Sequence, residues 1–221
     1  MLTQSNLQFL NNLSENNNRE WFHANRGAYE SAKECFETLC QSVLTGVSAF
    51  QEDLLNTKVK NCILRINRDV RFSSDKSPYK KYLGAAFGPG GKSSTRADFY
   101  LHIQPNDESF IGGGMWSPSA SRLAGFRQEI DYNPKTLKGI IEGFDFKQYF
   151  NEIHGEKVKT APKGYSIEHE NIELLKYKEL FFIHKYTDSQ VLSHDFRNEV
   201  IKACQVLKPY LDYVNKIYFN E

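Results

Sequence analysis

Arg96-Ala-Asp-Phe-Tyr-Leu-His-Ile-Gln104, followed by Pro105-Asn-Asp107 and Glu108-Ser-Phe-Ile-Gly-Gly-Gly-Met115, is the stretch that decides the fold. Its first half alternates strictly. Arg96, Asp98, Tyr100, His102 and Gln104 fall on one face of an extended chain, and Ala97, Phe99, Leu101 and Ile103 on the other. A turn follows and the chain returns, which predicts an antiparallel hairpin.

Working outward, Tyr82 to Phe87 reads as a further strand before the flexible Gly88-Pro-Gly-Gly91. From Lys58 the period shifts to two, with β-branched residues and no helical stripe, so a strand is expected over residues 59 to 68 too. It would carry Ile63, Arg65, Asn67 and Asp69 on one face and Cys62, Leu64, Ile66 and Arg68 on the other. Upstream, Phe22, Asn25, Tyr29, Ala32, Phe36, Leu39, Val43, Gly46 and Phe50 recur at steps of three and four, the mark of one long helix over residues 19 to 50. Asn17 with Glu20 resembles its capping box, and a short helix over residues 4 to 13 precedes it.

Downstream, helices are expected near 119–130, 134–142, 145–152 and 170–178, with an irregular segment at 158–167. A strand at 180–186 and a long helix at 194–219 follow, the latter kinked or split at Pro209. The expected fold class is therefore α+β: a mainly antiparallel sheet, with strands near 59, 82, 96, 108 and 180, flanked by the long helices near 19 and 194. No repeat, low-complexity tract or long linker interrupts it, so residues 1–221 are expected to form a single domain.

Composition bounds the function more than it defines it. With 40% apolar and 25% charged residues the chain has the make-up of an ordinary globular protein. No segment approaches the ~20 apolar residues of a membrane span. The first ten residues lack a basic start and a continuous apolar run, so no signal peptide is expected and the cytoplasm is the expected location. Four cysteines and six histidines are dispersed without metal-ligand spacing, so reduced thiols and no metal site are expected. No pattern identifies a cofactor.

Charge is distributed unevenly. Between Arg65 and Lys81 lie Arg65, Arg68, Arg71, Lys76, Lys80 and Lys81 against Asp69 and Asp75, a local excess of four in a chain whose net charge is +1. Arginine offers a planar fork suited to phosphate or carboxylate, and lysine a mobile point charge. Tyr79, among the cations, is placed to stack on a ligand or donate its hydroxyl. Asp69 and Asp75 either orient the arginines or act as a base. The competing reading is an internal ion-pair network that only fixes the loop. Asn25, polar on an apolar stripe, is either bonded to nearby backbone or faces a ligand.

Further candidates lie outside the window. Gly113, within Gly112-Gly-Gly114, suits either an anion nest or tight packing. Arg127 and Arg122, on the following helix, extend a cationic wall if they face it. Tyr100, His102, Lys163 and His169 are weaker candidates. No nucleophile motif and no paired carboxylates on one element are present, so no catalytic residue is assigned.

The segment Arg65-Ile-Asn67-Arg68-Asp69-Val-Arg71-Phe72-Ser-Ser-Asp75-Lys76-Ser-Pro78-Tyr79-Lys80 resembles the signature of the family called domain of unknown function 2461. The likeness extends to Glu20-Trp21-Phe22, Asn25 and Tyr29 upstream, and to Gly112-Gly113-Gly114, Arg127 and Pro162-Lys163-Gly164 downstream. It implies no reaction, because that family has none established. The expected function thus rests on the residues: binding of a phosphorylated or carboxylated small ligand, with or without catalysis. The alternative is a non-catalytic adaptor whose basic loop meets an acidic protein or nucleic acid, although a pI near 7.7 argues against a broad nucleic-acid footprint.

Overall fold

The computed structural model of the chain describes residues 1–219. Ten α-helices, one 3-10 turn and four strands form among them. The strands make one antiparallel sheet in the order β1 (Leu83–Phe87), β2 (Phe99–Ile103), β3 (Ser109–Met115) and β4 (Leu180–Tyr186). The fold class is α+β, as the alternating stretch implies. The β2–β3 turn places Asn106 and Asp107 at φ 68 and 61, the left-handed pair that suits a tight hairpin. Each main-chain N–H of that pair donates to the Asp188 carboxylate, which holds the turn shut.

By internal contacts the chain divides into two compact units. The first comprises Met1–Ser94, Tyr100–Ile111 and Lys185–Lys202; the second comprises Thr95–Phe99, Gly112–His184 and the chain from Ala203 onward.

In the first unit, α1 (Gln4–Glu15) is closed by a Thr3–Asn6 capping box and buries Leu7, Phe9, Leu10 and Leu13. The long helix expected over 19–50 is two helices, α2 (Arg19–Ala24) and α3 (Arg26–Ser48). The break falls at Asn25, whose backbone leaves helical geometry at φ −107, ψ 19 while its amide donates to Trp21 O. Asn18 caps α2, because Asn17 is engaged elsewhere: its amide both donates to and accepts from the main chain of Tyr79. The stripe on α3 buries Ala32, Phe36, Leu39, Cys40, Val43, Leu44 and Val47. Gly46 lets Ile201 pack directly against the helix backbone, where any Cβ would collide with it.

Residues 59–68 do not form the expected strand. Val59–Cys62 is a single helical turn, α4, and beyond it only isolated bridges join Ile63 to Ala85 and Asn67 to Tyr79. Five residues from 63 to 67 thus face seven from 79 to 85, so two extra residues bulge out around Lys81 and Tyr82. That slip prevents a continuous ladder and bends the segment, and Arg65 is exposed between the half-buried Leu64 and the buried Ile66.

In the second unit, α5 (Ala120–Tyr132), α6 (Pro134–Ile141), α7 (Phe144–Tyr149) and α8 (Ile172–Leu175) surround an aromatic core in which Phe146 meets Phe182 edge-on at 4.8 Å. The Tyr210 hydroxyl donates to Leu180 O. A short helix not expected from the sequence, α9 (Asp188–Val191), belongs to the first unit and is capped by Thr187 and Gln190. The last helix, α10 (Phe196–Phe219), runs through Pro209 without splitting. A proline inside a helix costs about 3 kcal/mol; α10 buries Val200, Ala203, Cys204, Leu207, Tyr210, Leu211 and Val214, which offsets it.

Candidate functional site

The sequence grouped its cations by position along the chain, but in space they fall into two sets within the first unit. The first set is the loop after Asn67. Arg68 donates to Asp75 at 2.6 Å, to the Ser77 carbonyl at 3.0 Å and to the Ser77 and Ser73 hydroxyls. Its side chain is only 25% exposed. Asp75 also accepts from the Ser77 main chain and hydroxyl, and these bonds, with Arg68 behind them, hold its carboxyl down at about 2. Arg71 grips Asp69 in a two-point fork at 3.0 and 2.7 Å, which lowers the Asp69 pKa. Lys76 donates to Val70 O. The loop's arginines therefore have carboxylates of the same chain in their forks. Phe72, at the tip, is 96% exposed beneath the Arg71 guanidinium.

Tyr79 closes the loop from inside. It is buried, stacked on Phe22 with ring centroids 4.0 Å apart, and pinned by Asn17, so its ring is taken up by the core.

The second set lines a cleft of about 640 Å³ between α3, the bent 60–67 segment and the chain leading into β1. Arg65 and Lys80 are there, joined by Lys33, Lys60 and Lys92, with Glu37 as the one acid. No carboxylate of the described residues pairs with Arg65, Lys60, Lys80 or Lys92; Lys33 reaches Glu30 at 3.8 Å. Lys80 donates to the Arg65 carbonyl at 2.5 Å, and its pKa is lowered, first by burial and then by the Arg65 charge. Lys92 donates to Asn61 O at 3.2 Å. A carbonyl orients an ammonium without neutralising it, so the cleft keeps its charge. Apolar groups complete the wall, among them Phe36, Ile63, Leu64 and Leu83, with the half-buried Tyr29 at its side.

A family model described as a conserved hypothetical protein, DUF2461, matches residues 5–213. The chain belongs to that family. Neither the comparison with curated proteins nor that with solved structures gave a match. Membership in DUF2461 assigns no activity, so what this DUF2461 chain does has to be argued from its clefts and charges.

The other candidates of the DUF2461 chain stand apart from the cationic cleft. Asn25 spends its amide on the Trp21 carbonyl. Gly113 is in β3, where a Cβ would meet the Asp98 carbonyl at 2.5 Å and Leu211 at 3.2 Å, so the glycine serves close packing. Arg127 caps the Leu175 and Tyr177 carbonyls, and Arg122 lies over the Tyr218 ring at 4.4 Å. His169 bonds Asp131, and Lys163 is exposed. His102 sits between Tyr82 and Phe110, 3.4 Å from the Tyr100 hydroxyl and 3.1 Å from Gln104, and burial lowers its pKa. The second unit has a cleft of about 730 Å³, but Glu129 and Asp131 face a single Lys216 in it, so it has no cationic character. Among the described residues no three metal-ligating side chains gather, and no helix is long and apolar enough to cross a membrane.

Sequence reasoning missed Lys33, Lys60 and Lys92. Lys33 had a visible signal, lying one helical turn after Tyr29 on the same face. Lys60 lies five residues before Arg65 in the same segment, outside the window of dense charge, whereas Lys92 had no signal, because only packing brings it beside Asn61.

Proposed function

We propose that this chain binds a small anionic ligand, phosphorylated or carboxylated, in the cleft of the first unit, with Arg65 and Lys80 as the principal contacts. The observation that carries the reading is that five cations line the cleft with Glu37 as the one acid of its lining, only Lys33 reaching a further carboxylate, and that among the described residues no carboxylate pairs with Arg65. Holding like charges together without a counter-ion is unfavourable, and a bound anion relieves both that repulsion and the desolvation of Lys80. Arg68, Asp69, Arg71 and Asp75 shape the adjoining loop rather than receive the ligand. A cytoplasmic setting fits the four free cysteines, three of them buried. No reaction is assigned, since no nucleophile or acid–base pair faces the cleft in a recognisable arrangement.

Calorimetric titration with inorganic phosphate at low ionic strength tests the reading. Arg65→Ala should weaken binding about ten- to a hundredfold, the value of a charge-assisted bond, whereas Arg68→Ala should retain it if folded. Equal affinity in Arg65→Ala and wild type would refute the cleft as the site.

The adaptor reading draws on a different observation, the fully exposed Phe72 between Arg71 and the basic loop. Salt-sensitive binding of a random oligonucleotide or an acidic protein, lost on removal of Arg71 and not of Arg65, would favour it.

A further inference from the structure

Four of the five cations that line the cleft pair off at two poles along its wall, while Lys33, the fifth, reaches Glu30. At one, Lys80 reaches the Arg65 carbonyl, so an ammonium and a guanidinium share one end. At the other, Lys92 donates through both its main-chain N–H and its ammonium to Asn61 O, next to Lys60. Gly91 makes that approach possible: its φ is +96, and a Cβ would run into the Asn61 carbonyl.

Between the poles the chain passes from the helical turn of α4 into extended Ile63 and Leu64, both half-buried and both lining the cleft. Counting helical rise to Cys62 and extended rise beyond it, Lys60 and Arg65 stand on the order of 10 to 13 Å apart along the main chain. The wall thus reads cationic, apolar, cationic.

We propose that the ligand is two-headed: two anionic groups, of phosphate or carboxylate type, at opposite ends of an apolar or planar spacer that lies over Ile63 and Leu64. This deepens the cleft reading and rests on it. A contiguous polyanion would concentrate its charge at one pole and leave the other uncompensated, whereas a separated pair neutralises both and buries its spacer on apolar side chains.

The test uses the full-length chain and two kinds of probe in calorimetry at low ionic strength. Methylphosphonate presents one head, and α,ω-alkane bisphosphonates of increasing spacer length present two. The expected result is an affinity optimum at an intermediate spacer, at least tenfold tighter than methylphosphonate or the shortest bisphosphonate. The exposed pair Lys60→Met/Lys92→Met should abolish that gain, so that in this variant every bisphosphonate binds no more tightly than methylphosphonate does. Arg65→Met should weaken both probes. Thermal unfolding of each variant confirms that it is folded, and either lysine change alone, expected to give a partial loss, replaces the pair if the pair is not.

An affinity that ignores spacer length, or a gain that survives the lysine changes, overturns the two-headed ligand while the cleft reading stands. Methylphosphonate binding unaffected by Arg65→Met, or no binding of either probe, overturns both.

Discussion

Arg65 and Arg68 are three residues apart in one bent segment, yet their environments are opposite. Arg68 is mostly covered, and its guanidinium is spent on Asp75, Ser77 and Ser73. Arg65 is exposed at the edge of a cleft, among lysines and with no carboxylate of the described residues in its fork. Two arginines of the same cationic window thus stand in different surroundings. One holds a loop, and the other is the one proposed above to meet a ligand. Where the counter-charge sits, rather than how many cations a segment contains, separates scaffold from site.

The sharpest way to break the comparison is through stability. Arg68→Ala removes the guanidinium from the Ser77 carbonyl and from the Asp75 carboxylate, which keeps only its Ser77 donors, and a charge-assisted bond contributes about 1.5 to 3 kcal/mol. At about 2 to 4 °C per kcal/mol for a chain of this size, its melting temperature should fall by roughly 3 to 12 °C. Arg65→Ala should move it by less than about 2 °C, as expected for an exposed residue without partners. Calorimetric melting of the two variants side by side checks this; equal losses would erase the distinction between loop and cleft.

The hairpin was legible because its information is local: period two in the strands and a turn whose residues tolerate positive φ. The loop's charge balance was legible for the same reason, since Asp69 and Asp75 lie inside the cationic window they neutralise. The bent 59–68 segment was not, because its two-residue slip against 79–85 is fixed by pairing partners rather than by its own pattern. The cleft was half legible. Arg65 and Lys80 were named from the sequence, but Lys33, Lys60 and Lys92 come from three segments that only tertiary packing brings together. Tyr79 shows the converse. An aromatic among cations looks like a ligand platform until Phe22 and Asn17 are found holding it inward.

The two regions should also answer to opposite ends of the pH scale. In the loop, Asp75 is held at about 2, below its ordinary 3.8. A depressed carboxyl contributes stability that is complete above the ordinary value and fades as pH falls through the folded one, so the loop should loosen between about pH 4 and 2. The difference in melting temperature between wild type and Asp75→Asn should shrink across that window. In the cleft, Lys80 is depressed below 10.5. An anion needs its charged form, so affinity should fall as pH rises toward that lowered pKa. Sulfate, whose charge is constant over the range, is the suitable probe, and Lys80→Met should bind it more weakly and lose the alkaline decline. A decline unchanged in Lys80→Met would place the titrating group elsewhere.

Arg71 gives the smallest expected effect and tests whether an occupied fork matters when it is exposed. Its pairing with Asp69 is geometrically good, two bonds from one guanidinium, yet the Arg71 side chain is 76% exposed. Water solvates both partners well in the unfolded chain, so the pair gains little on folding, and exposed ion pairs contribute close to nothing measurable. Arg71→Ala should therefore shift the melting temperature by no more than about 1 °C and leave phosphate affinity unchanged. A drop comparable to that of Arg68→Ala would mean that pairing alone, without burial, fixes the loop. Unchanged stability together with lost binding of an acidic macromolecule would instead move the functional weight from the cleft to the Phe72 tip, because Arg71 lies over that ring and takes no part in Arg68's bonds to Asp75, Ser77 and Ser73.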